Sequence, residues 1–229
     1  MFFNIYCYCK RYMELNLFVY VLLIFCIPYL LYSNIRIKPR KGFSILFISI
    51  ISCVIFLNFS ILTILSVFLL GCTLIVKNQK IHPYFYGTSF ALLNYEIFEK
   101  LSLSIFDFVI NYLFPISLVS GVFASMMIGH WFLVDPTISK EGMKKIAITS
   151  TIQSLILTPL VFFEFIGQDI ERIFKNVILI LFLSTAILSF ASYKSLGEKS
   201  YTGVMASTGL SYLSLIVSLG ATGGLLLLS

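Results

Sequence analysis

His82 and His130, the two histidines of this sequence, are its best-equipped groups for coordination or proton chemistry. His130 lies in a dense stretch, Ser125-Met126-Met127-Ile128-Gly129-His130-Trp131-Phe132-Leu133-Val134-Asp135-Pro136. Gly129 leaves room for a backbone or a flat ligand beside the imidazole. Trp131, the single tryptophan, carries the ring favoured at a headgroup boundary. Asp135-Pro136 ends the helix, since proline cannot continue it. His82, followed by Pro83, opens the preceding apolar segment.

Two imidazoles at one depth on consecutive helices suit axial ligation of a haem iron, and one suffices to hydrogen-bond a quinone carbonyl. Met126, Met127 and Met205 add polarizable surface near the same level. The cofactor-binding expectation is thus His130, His82, Trp131, Met126 and Met127, with haem b or quinone as the group and His130 and His82 as iron ligands. A plainer account of the same residues competes with it: a tryptophan anchor, a histidine hydrogen-bonded to a neighbouring helix, and a proline stop.

A second group is charged. Glu96, Glu99, Lys100 and Asp107 fall on one stripe at helical spacing. Inside a bundle such a stripe would line an ion or proton path, because intramembrane carboxylates are costly and mostly functional. Their clustering toward one end of the apolar stretch favours the other reading, in which residues 83–98 span and 99–110 emerge as an amphipathic interfacial piece. The sequence has no HExxH, GxSxG, Walker A or dinucleotide-binding fingerprint, so an enzyme acting on its own is not expected. Of the five cysteines, Cys26, Cys53 and Cys72 sit in apolar runs as small hydrophobes, and Cys7-Tyr8-Cys9 has the wrong spacing for a CxxC pair.

The elements that position these groups must be embedded in a membrane. The 229 residues are 59% hydrophobic and 11% charged, with a mean hydropathy of +0.99. A soluble domain carries about 25% charged residues, so this chain lacks the polar surface to cover itself in water. The net charge of +6 sits in short Lys/Arg clusters between apolar runs. That pattern marks cytoplasmic loops, not a nucleic-acid face.

A spanning helix needs roughly 17–25 apolar residues. Residues 15–32, 111–134, 146–163, 176–193 and 202–228 qualify. Residues 43–76 make a longer apolar run, interrupted only by Asn58-Phe59-Ser60. Arg36, Lys38, Arg40 and Lys41 precede it and Lys77 and Lys80 follow, so both flanks belong on one side and the run reads as a hairpin. With 83–98 the total is about eight spans with both termini outside. Segments 34–42, 77–82, 137–145 and 194–200 are then cytoplasmic, and 164–175 lies opposite. Residues 1–14 read as a peripheral segment, with Met13 an alternative start. The run 15–32 is longer than a signal-peptide core, and no small-residue cleavage site follows it.

Helices in lipid associate through close backbone approach. Ser117, Gly121, Ser125 and Gly129 recur every four residues and predict a central helix, while Gly203, Ser207 and Ser211 form a related face on the last span. The fold expected is an all-α, polytopic transmembrane helical bundle without a soluble domain, one integral membrane domain over residues 1–229, in the inner cell membrane. Its contacts are the lipid bilayer and partner membrane subunits, with no nucleic acid. The leading functional expectation is the membrane subunit of an electron-transfer system. The alternatives are a small transporter or channel using the Glu96/Glu99/Lys100/Asp107 stripe, and a non-catalytic scaffold or assembly subunit.

Overall fold

Apolar runs bounded by basic clusters and prolines become helices, the structure in which a chain satisfies its own backbone groups without water. The computed structural model describes residues 2–101, 104–168, 170–198 and 200–228, and for 2–14, 100, 101 and 107 the backbone alone. Among the described residues there is no strand. The helices in chain order are α1 (Phe2–Tyr32), α2 (Lys41–Ile51), α3 (Val54–Leu57), α4 (Ile61–Ile75), α5 (His82–Leu101), α6 (Ile105–Asp107), α7 (Phe114–Phe132), α8 (Lys140–Phe162), α9 (Arg172–Ser195) and α10 (Tyr201–Leu228). π-Helical turns at Ser33–Ile37 and Phe108–Leu113 extend α1 and precede α7.

Among the described residues five stretches are long and apolar enough to cross a membrane: Leu15–Ile37, Phe108–Phe132, Lys140–Phe162, Arg172–Ser195 and Tyr201–Leu228. The expected hairpin appears as two shorter apolar helices, Lys41–Leu57 and Ile61–Ile75. The 15 residues of α4 rise about 22 Å, less than the roughly 30 Å of a hydrocarbon core. The break is real, because Asn58 and Ser60 take extended backbone (φ −154° and −130°) and α4 folds back on α2. Ser60 caps α4 by accepting the Thr63 amide at 3.0 Å. The backbone of residues 2–14 is helical and continuous with α1.

Helix α7 is the hub. It packs on α1, α8 and α10, and 61% of its span is buried, against 28–39% for the other four. Its small residues explain the close approach. A Cβ on Gly121 would lie 2.6 Å from Tyr29 Oη, and one on Gly129 would collide with Thr208. Ser125 faces Ser211 at 3.4 Å, and Ser117 accepts a hydrogen bond from Gln153 at 3.2 Å. On α10, Ser207 pairs with Ser192 of α9 at 2.7 Å, and Gly203 sits against the Ser195 carbonyl. Two regions flank the hub: α1–α5 on one side, α8–α10 on the other.

Candidate functional site

The hairpin brings the two basic clusters that flank it to one place. Lys38 and Lys41 on its entering side and Lys77 and Lys80 on its leaving side line a cavity of about 620 Å³, together with His82. No carboxylate contributes to the lining. Lys38 holds a left-handed backbone conformation (φ 53°) that closes the π-helical turn, its amide donating to the Ser33 carbonyl at 2.8 Å. Leu31, Ile35 and Leu74 form an apolar wall. His82 Nε2 lies 2.8 Å from the Val76 carbonyl, which can only accept, so that nitrogen carries the proton.

From the floor of this cavity polar side chains recur along the α1–α4–α5 interface in three separate hydrogen-bonded groups, with buried Leu70 and Leu93 between them. Ser44 donates to Asn34 at 2.8 Å, Asn34 to Tyr86 Oη at 2.7 Å, and Thr73 lies 3.3 Å from the same phenol. Farther along, Ser89 donates to the Ser66 carbonyl at 3.1 Å. The last group centres on Glu96, which is 4% exposed. Its carboxylate accepts from Asn58 Nδ2 at 2.6 Å, Thr63 Oγ1 at 2.9 Å and Tyr20 Oη at 3.1 Å. Asn58 and Thr63 belong to the hairpin tip, whose outer side carries Phe56, Phe59 and Ile61, each at least 80% exposed. The tip is therefore greasy outside and polar inside, and Glu96 satisfies the polar side.

The acidic stripe accordingly does not behave as a unit. Glu96, inside the expected 83–98 span, is buried, while Glu99, in the expected interfacial piece, is exposed. The side chains of Lys100 and Asp107 lie outside the described residues.

His82 and His130 occupy different surroundings. His82 lines the basic cavity, whereas His130 is exposed and does not. Helix α1 packs on both α5 and α7, and the Phe98 ring on α5 lies 6.4 Å from that of Phe108 at the start of the α7 span. Trp131 turns toward the hairpin, its ring 5.9 Å from that of Phe43 and against Gly42. Met126 is buried, and Met127 is partly buried against the larger apolar core.

Around the cavity mouth the remaining charges are committed elsewhere. Arg40 Nε lies 3.5 Å from Asp135, a carboxylate only 1% exposed. The Thr137 hydroxyl, donating at 2.5 Å, holds Asp135 below the usual carboxylate range, with help from the Thr137 amide and Arg40. At the opposite end Lys175 pairs with Glu164 at 2.6 Å and lowers that carboxyl in the same way.

Read singly, the four cavity lysines mark topology and no more. The signal that could have found the site is the hairpin itself, because folding residues 43–76 back must bring their two basic flanks together. Asn34, Tyr86 and Thr73 carry no such signal, since lone polar residues in apolar runs reveal nothing of which face they occupy. Comparison with protein-family models, with curated proteins and with solved structures gives no match.

Proposed function

We propose that the chain is a small multi-pass membrane transporter that moves a polar solute along the α1–α4–α5 interface. The observation that carries this reading is the recurrence of buried polar groups between the open cavity and Glu96, within helices that otherwise present apolar side chains outward. Buried polar groups in a lipid-embedded region cost free energy and mark solute or ion pathways. The basic end would face the cytoplasm of an inner cell membrane, with the short hairpin entering and leaving from that side and α5 completing the lobe. Lipid and partner subunits would cover the outward faces of α9 and α10.

An electron-transfer subunit has weaker support. A haem held by both imidazoles would need His82 and His130 on one iron, and His82 lines the basic cavity while His130 is exposed outside it.

Proteoliposomes carrying a pH-reporting dye test the transport reading. Wild type should show solute-evoked proton movement with at least one of a panel of phosphate, carboxylate and sugar solutes. Glu96→Gln should lose it at least tenfold while keeping its unfolding temperature within a few degrees. Wild-type vesicles impermeable to every solute in the panel would sink the reading.

A further inference from the structure

We infer that the basic cavity binds the phosphate group of an organic phosphate. The inference deepens the transport reading by naming the class of solute that enters.

Charge comes first. Lys38, Lys41, Lys77 and Lys80 converge with His82 on one cavity that no carboxylate lines. Elsewhere three cations have local carboxylate partners, Arg40 with Asp135, Lys144 with Glu141 and Lys175 with Glu164, and no other place in the described residues gathers four lysines around one cavity. Among the described residues none of the four cavity lysines has an ion-pair partner. Four like charges held around one space repel each other, and an anion placed between them relieves that repulsion.

The backbone points the same way. Helix α2 begins at Lys41 and α5 at His82, so both present their N-terminal ends to the cavity. Neither has an acidic residue in its first turn, where one is ordinarily favoured. The start of α2 offers amides to an anion, whereas at α5 Pro83 has no N–H and the Tyr84 and Phe85 amides donate to the Ile81 carbonyl at 3.0 and 3.4 Å, so that end adds only its dipole. Lys38 occupies a left-handed position that glycine would fill without strain, and its ammonium group is what the site gains for that cost.

Phosphate fits better than carboxylate. A planar carboxylate is best met by the guanidinium fork, and among the described residues no arginine lines the cavity, Arg40 being turned to Asp135. Separate ammonium groups contributed by two segments suit a rounded ligand with several acceptor oxygens. The volume exceeds what inorganic phosphate requires and falls within the roughly 300–1,000 Å³ of organic-ligand sites. The Leu31, Ile35 and Leu74 wall would face the carbon-bearing part. Such a group can come from a soluble phosphate ester or from a phospholipid headgroup, since the cavity lies at the basic boundary.

Binding to purified, detergent-solubilised protein tests the site without any gradient, so its failure is distinguishable from a failure of transport. Two probes are titrated at fixed ionic strength: glycerol 3-phosphate in solution, and a short-chain phosphatidic acid in mixed micelles. At least one should bind, and Lys77→Gln/Lys80→Gln and Lys38→Gln/Lys41→Gln should each weaken it tenfold or more. Lys145→Gln/Lys194→Gln, which removes equal charge outside the cavity, should leave affinity within about twofold. Binding of the soluble ester alone identifies a water-borne ligand; binding of the lipid alone identifies the bilayer as its source. Either supports phosphate recognition. Binding of neither probe, or equal weakening by the control pair, overturns the inference. Binding without flux would retain the site and remove the transporter.

Discussion

Glycine positions on α7 and α10 divide sharply by what surrounds them. Gly121 meets Tyr29 and Ser150, and Gly129 meets Thr208, whereas Gly209 and Gly223 face open space. Gly121→Ala and Gly129→Ala should therefore destabilise the protein by about 1–3 kcal/mol through overpacking. Gly209→Ala and Gly223→Ala should be neutral or slightly stabilising, because alanine prefers the helix. Thermal unfolding in detergent distinguishes the two classes. Asp135 gives a second outcome at this scale. Its folded pKa is depressed, chiefly by the Thr137 hydroxyl, so its stabilising contribution is complete above the ordinary value of about 3.9 and is lost as pH falls through the lower folded value. The stability gap between wild type and Asp135→Asn should thus be present at pH 7 and close as pH drops below about 4. Denaturation curves collected across that range measure the gap directly.

The hairpin is the element on which the site depends, because its base walls the cavity and its tip is fastened to Glu96. Glu96→Ala leaves the donors of Asn58, Thr63 and Tyr20 without their acceptor, at about 1–3 kcal/mol for each one that finds no other. Glu96→Gln retains an acceptor oxygen and should cost less. The ordering Ala worse than Gln, read from unfolding temperature, follows from the three hydrogen bonds; equal losses would mean that Glu96 fills space only. This knot also marks where sequence reading stops. The turn at Asn58-Phe59-Ser60 and the return of the chain were legible from turn chemistry and from the like charge of both flanks. The burial of Glu96 was not, since its place beside Glu99 and Lys100 resembles an emerging helix end. The reason it is buried lies 33 and 38 residues earlier, in Thr63 and Asn58. The different surroundings of His82 and His130 were equally hidden, since only the fold shows that the basic flanks of the hairpin enclose His82 and leave His130 exposed outside the cavity.

At the scale of the whole molecule, the basic segments gather at one end, and side-chain contacts show it. Arg40 reaches Asp135, Ile37 packs against Gly142 at the start of α8, and Lys140 donates to the carbonyls of Glu198 and Ser200 at 3.2 and 3.1 Å. Helix α8 then carries the chain away to the Glu164–Lys175 pair, and α9 returns it. An asymmetric distribution of lysine and arginine orients a bundle with that end toward the cytoplasm. In a cysteine-free background, single cysteines at positions 38, 79, 140 and 197 should react with an impermeant maleimide only from the cytoplasmic side, and one at 168 only from the other. The hairpin tip adds a sharper demand. Phe59 is 80% exposed yet lies beyond a helical run, Lys41–Leu57, that rises about 25 Å from the basic end, within a hydrocarbon core of roughly 30 Å. A cysteine at 59 should consequently resist the reagent from both sides and react only after detergent is added. Labelling at 59 from the side opposite to 38 would mean that the tip reaches water and that α2 and α4 are complete crossings. Labelling at 38 and 79 from opposite sides would dismantle the hairpin, and with it the cavity that the hairpin closes.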